Sequence, residues 1–113
     1  MVKLTELSFE HTLACPRCGD NYLHHGPVTV YDRHEDAEEV RTTLVAGENI
    51  SSQMKPNAAS GNPSSRRDGI VIEFFCEYCG DLDPERKSAT PPMALEIAQH
   101  KGNTYLRWNI FKN

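Results

Sequence analysis

The 113 residues carry 12 basic and 16 acidic side chains, a net charge of −4, which excludes a chain that coats nucleic acid by bulk positive charge but leaves room for a local basic patch. Only 38% of the residues are apolar and no run of 18 or more apolar residues occurs, so the expectation is one domain, 1–113, with a thin core and no membrane span. The opening MVKLTELSFEH has neither the apolar stretch nor the cleavage site of a signal peptide, so a cytoplasmic location is expected, where four cysteines are thiols or metal ligands rather than disulfides.

Through Leu13 the pattern suits a short strand and a loose leader equally. After a first cysteine pair, Val28-Thr29-Val30-Tyr31 is a β-branched run and predicts a strand. Asp32 to Glu39 holds Asp32, Glu35, Asp36, Glu38 and Glu39, which predicts a solvated turn or a single helical turn. Arg41 to Ala46 then reads as the second arm of a hairpin that ends at Gly47. Residues 51–69, SSQMKPNAASGNPSSRRDG, offer almost nothing to bury and predict a long surface loop. Ile70 to Phe75 is the strongest strand signal and runs straight into a second cysteine pair.

Beyond that pair, residues 81–92 are polar, with adjacent prolines at 91 and 92, and predict a linker. Residues 94–99 and 104–109 flank His100-Lys101-Gly102-Asn103 and predict a hairpin; a short helix over 93–100 competes, because Ala, Leu, Glu and Gln are good helix formers. The fold class expected is mainly β, an antiparallel sheet with strands near 28–31, 40–46, 70–76, 94–99 and 104–109. On the last strand Trp108 and Leu106 share a face, and Trp108 is expected to be buried with Tyr105 partly exposed.

The cysteines carry the chemistry. Cys15-Pro16-Arg17-Cys18-Gly19 and Cys76-Glu77-Tyr78-Cys79-Gly80 repeat one pattern, Cys-x-x-Cys-Gly. Two intervening residues let a tight turn aim both sulfurs at one point, and the glycine permits a left-handed backbone that turns amide N–H groups toward the thiolates. Four such sulfurs make a closed tetrahedral site, which suits one structural zinc ion held by Cys15, Cys18, Cys76 and Cys79. Iron accepts the same ligands and is the principal alternative, with a redox role. Thioredoxin-like chemistry needs one motif on a strand-to-helix turn, and neither copy has a helical sequence after it.

The two pentapeptides and the strand entering the second resemble the zinc-ribbon group, in which two such knuckles clamp one zinc beside a three-stranded sheet. More loosely, the whole chain resembles small bacterial and phage proteins with the same knuckles. The resemblance implies a zinc-ribbon-like sheet with structural metal. The chain departs from it in spacing, since 57 residues separate Cys18 from Cys76, which implies a long insertion between the knuckles.

Outside the cysteines no catalytic constellation stands out, and a four-cysteine site has no open coordination position, so no enzyme and no small-molecule substrate are expected. His24 and His25 are read as one ring packed on the sheet and one in solvent rather than as ligands, and His11, His34 and His100 belong to no motif. Ser64, Ser65, Arg66 and Arg67 concentrate hydroxyl and guanidinium donors and are the candidate partner contact, extended by Arg17, Lys55, Lys101 and Arg107 if the fold gathers them. Against this stands the reading that Arg66 and Arg67 merely pair with local acids. The function expected is a structural-zinc binding module for a macromolecule, protein before nucleic acid; zinc ribbons recur in nucleic-acid machinery, which keeps the second open.

Overall fold

The computed structural model describes residues 11–79 and 93–110. The amino-terminal ten residues, Gly80 of the second knuckle and the expected linker 81–92 lie outside the described residues. Six strands form one antiparallel sheet: β1 (Leu23–Asp32), β2 (Glu39–Ala46), β3 (Asn49–Pro56), β4 (Gly69–Cys76), β5 (Met93–His100) and β6 (Asn103–Ile110), in the spatial order β3-β2-β1-β4-β5-β6. The expected mainly β class is therefore what the chain adopts, and residues 93–100 are strand rather than helix.

Two tight turns set the register of the outer hairpins. Ala46 pairs with Asn49 across Gly47-Glu48, and Gly47 has a φ of 60°, the first-position glycine of a type II′ turn. His100 pairs with Asn103 across Lys101-Gly102, and both central residues have positive φ, 51° and 80°, the type I′ pattern. The acidic stretch between β1 and β2 is a turn, as its polarity predicts.

The loop expected over 51–69 is corrected in its first half. Residues 51–56 complete β3, and α1 (Asn57–Ser60) is one helical turn. The strand NISSQMKP buries little, and its order comes from backbone pairing along the whole of β2 rather than from an apolar face. The rest, 61–68, folds back onto the sheet, with the Ser64 hydroxyl donating to Gln99 O at 2.6 Å and Arg107 donating to Pro63 O at 2.8 Å. Gly69 lies beneath this loop, where a Cβ would meet Asn62 Oδ1 and the Pro63 ring.

Register and alternation divide the side chains between two unlike faces. The face under the 61–68 loop carries Tyr31, Thr42, Ala98 and Glu96, all buried. Glu96 Oε1 accepts from Arg107 Nε at 2.7 Å and Oε2 accepts from Asn109 Nδ2 at 3.2 Å, so its charge is paired inside a shielded site. Burial, followed by the Glu96 charge, raises the Tyr31 pKa above its ordinary value.

The opposite face is apolar in its central rows and, among the described residues, open, with Asp32 opposite Arg41 beyond them. One row crosses all six strands as Ile50, Val45, Val28, Ile72, Leu95 and Trp108. The next row brings Val30, Ile70, Ile97 and Leu106 beside Thr43 and Ser52, which hydrogen-bond each other at 3.1 Å. Ile50 is 72% exposed and Leu106 66% exposed. The expectation that Trp108 is buried is corrected: its ring is half-buried, because no second layer covers this face among the described residues, while Tyr105 is partly exposed as expected. No helix among the described residues is long and apolar enough to cross a membrane.

Candidate metal centre

The sheet explains how thiols so distant in sequence meet. The first knuckle ends just before β1 and the second begins with the last residue of β4. Those strands are antiparallel neighbours, so the start of one lies beside the end of the other, and Leu23 pairs with Cys76. Glu77 N donates to Tyr22 O at 3.1 Å and extends the contact into the knuckles. The long interval between Cys18 and Cys76 is therefore an excursion through β1, β2, β3 and the 61–68 loop that returns along β4 to its starting point.

In the first knuckle Gly19 has a φ of 82° and its N–H donates to Cys15 O at 2.8 Å, which closes the turn. Arg17 N donates to Cys15 Sγ at 3.4 Å, the amide-to-sulfur contact expected of such a turn. The four Sγ atoms of Cys15, Cys18, Cys76 and Cys79 lie within 4.8 Å of one another, and those of Cys18 and Cys76 are 3.6 Å apart. Four sulfurs at about 2.3 Å from one ion stand about 3.8 Å apart in a tetrahedron, so the thiols are already near coordination geometry.

The cluster sits on the open apolar face. Cys15, Cys76 and Met93 form a buried group, with Leu23, Phe74, Cys79 and Trp108 packed around it. Phe74 and Trp108 meet edge to face at 5.5 Å. Arg17 Nη2 lies 3.6 Å from Met93 Sδ, so Arg17 belongs to this end of the sheet.

Four thiols this close cannot all ionise without a cation. Burial pushes the Cys15 thiol up, but the backbone N–H groups of Arg17 and Cys18 and the neighbouring thiols of Cys18 and Cys76 more than offset it, and its pKa falls to about 7. Burial and then the surrounding thiols push Cys79 up to about 12, and burial likewise raises Cys76. The Cys15 thiolate forms readily while Cys76 and Cys79 resist, a spread that a shared divalent cation removes by compensating the thiolate charge. The donor set and spacing fit a single tetrahedral ion of the zinc or iron type.

The remaining candidates gather at the other end of the sheet. Ser64 and Ser65 lie in the loop over Gln99, and Lys101 is in the β5–β6 turn. Six residues of β5 separate Met93, beside Arg17, from Gln99, beside Ser64, roughly 20 Å at about 3.3 Å per residue. Arg17 thus does not extend the Ser-Arg cluster. Ser64 is 2% exposed, and its oxygen accepts from the N–H groups of Arg66 and Arg67, which makes it a loop fastener. Arg66 donates to both oxygens of Asp36, at 3.2 and 2.9 Å, and to Glu35 at 3.1 Å. Arg67 and Lys101 are exposed, and Arg67 makes no ion pair among the described residues.

His24 and His25 are both exposed, which replaces the expectation of one packed ring, and His24 Nε2 lies 3.6 Å from Glu77. Arg107, expected as a possible extension of the Ser-Arg patch, does reach its loop at Pro63 O, and Glu96, its partner, is the residue that sequence reasoning missed; the signal that finds it is its register with Arg107 across the β5–β6 hairpin. No family model, curated protein or solved structure matches the chain, so the zinc-ribbon likeness rests on the two knuckles alone.

Proposed function

We propose that the chain is a non-catalytic protein-binding module whose sheet is tied together by one structural zinc ion on Cys15, Cys18, Cys76 and Cys79. The observation that carries the metal half is the convergence of four thiols within 4.8 Å, which fills a tetrahedral shell and leaves no coordination position for a substrate. Support for a protein partner comes from the apolar face that the described residues leave uncovered, a feature of interaction surfaces. The nucleic-acid reading is the weaker, because Arg66 is already engaged by Glu35 and Asp36.

The test combines colour and thiol counting on the purified native chain. A colourless protein whose four cysteines react with a thiol reagent only after chelation agrees with structural zinc. Visible absorption that bleaches on reduction, or four thiols reactive without chelator, contradicts it and favours the iron or free-thiol alternative.

A further inference from the structure

Among the described residues, the 61–68 loop lies over one face of the sheet and nothing covers the central rows of the other. Stable domains bury the apolar side of a sheet against a second layer, and here the buried hydrophobic residues are few and lie at the knuckles or on the loop-covered face. Six strands at about 4.8 Å spacing and three open rows at about 6.6 Å each give the open face roughly 29 by 20 Å, about 580 Å² per chain, the fourth row at Phe74 and Met93 being taken up by the knuckle cluster. A standard stable interface takes about 800 Å² from each partner. The open face therefore supplies about three-quarters of the area of one such interface.

Its chemistry narrows the occupant. The two central rows hold no charged residue and the row beside them adds Asp32 opposite Arg41, one charge of each sign, so this surface is near neutral and does not oppose like meeting like. Of the two hydroxyls of the second row, Thr43 donates to Ser52, which lowers the cost of covering them. Residues 81–92 of the same chain are poor cover, with five charged side chains and three prolines. Residues 1–10 as one extended segment would cover about one strand spacing of the six.

We propose that the open face pairs with the same face of a second copy, giving a twelve-stranded sandwich of two sheets about 10 Å apart with zinc centres at its ends. The proposal rests on the protein-binding reading and names its partner. In the pair, Val28, Val30, Ile70 and Ile72, on the two middle strands, form the centre of the core. Ile50 and Leu106, at opposite edges of the sheet, close its rim.

The test is sedimentation equilibrium of the full metal-loaded chain at micromolar concentration, beside Leu106→Glu and Ile50→Glu, with zinc measured in every fraction. Both side chains are largely exposed in the single chain, so each variant keeps its fold and its zinc. The expected result is a particle of twice 12.7 kDa whose dissociation constant rises about thirtyfold or more in each variant, as when an unpaired carboxylate is forced into an apolar contact. A monomer that retains zinc overturns the pairing and leaves the zinc module standing, whether the face is covered by residues 1–10 or by another protein. A dimer indifferent to both substitutions also overturns it, because the contact then runs through a sheet edge. A dimer that responds to both but lacks zinc supports the pairing and overturns the metal reading.

Discussion

Replacing Cys76 by Ser, or removing the ion with a chelator, perturbs the one feature that joins the two ends of the excursion. Cys18 and Cys76 are 58 positions apart, and tying two such points together removes loop entropy from the unfolded chain worth about 4 kcal/mol at 25 °C. In a domain of this size each kcal/mol moves the melting temperature by about 4 °C, so Cys76→Ser or chelation is expected to lower Tm by about 15 °C. Cys76 is fully buried against Met93, close to Phe74 and Trp108, so the near-ultraviolet circular dichroism of Trp108 should fade with the same dose of chelator. Calorimetry on both proteins, each with and without chelator, also tests coupling: chelator should add nothing to Cys76→Ser. A Tm loss below about 3 °C, under one kcal/mol, or additive losses, would refute the reasoning.

Arg107→Ala leaves Glu96 shielded with its charge uncompensated, and urea melts should show a loss of about 1–3 kcal/mol, largely recovered when Glu96→Gln is added; no recovery counts against the pair. Gly69→Ala drives a Cβ into Asn62 and Pro63, so hydrogen exchange should speed up in the 61–68 loop, with a stability loss of about 1–3 kcal/mol; unchanged exchange contradicts the packing. The hydrogen bond and charge of Arg66 hold the Asp36 pKa below its ordinary 3.8. A depressed acid favours the fold above its unfolded pKa and loses that contribution as pH falls through the folded value, so Arg66→Ala should move the Asp36 midpoint in an NMR titration back up toward 3.8; an unmoved midpoint argues against the pair.

Much of the fold was legible where side chains announce their own environment. Ile70 to Phe75 is apolar and β-branched because β4 is central and flanked on both edges, and Lys101-Gly102 marks its turn through backbone freedom. Strand β3 was illegible because Ser51, Ser52 and Gln53 have no face to bury, and its order is supplied by β2. Its one local cue, Gly47 before Glu48, fixes a hairpin only once β2 is placed. The 61–68 loop reads as solvent-loving because Asn62 and Ser64 are turn formers, yet the Asn62 amide closes it on its own Arg67 O and the Ser64 hydroxyl fastens it to Gln99.

The cysteine set was legible from spacing alone, since Cys-x-x-Cys-Gly states its own turn. What spacing did not reveal is the reason for 57 intervening residues, which lies in the adjacency of β1 and β4. Nor did it separate Arg17, at the metal end, from Arg66 and Lys101 at the other, because that separation is the length of a strand. Alternation along each strand contains the two-faced sheet, but only the register shows that Ile50 and Trp108 lie on one row.

Elemental analysis of the native chain, purified without added metal and compared with Cys15→Ser and Cys79→Ser, tests the central claim most directly. One zinc per 12.7 kDa chain, lost or sharply reduced in both variants, is the predicted result. Native protein that is folded with no bound metal, or that carries iron in zinc's place, would contradict it.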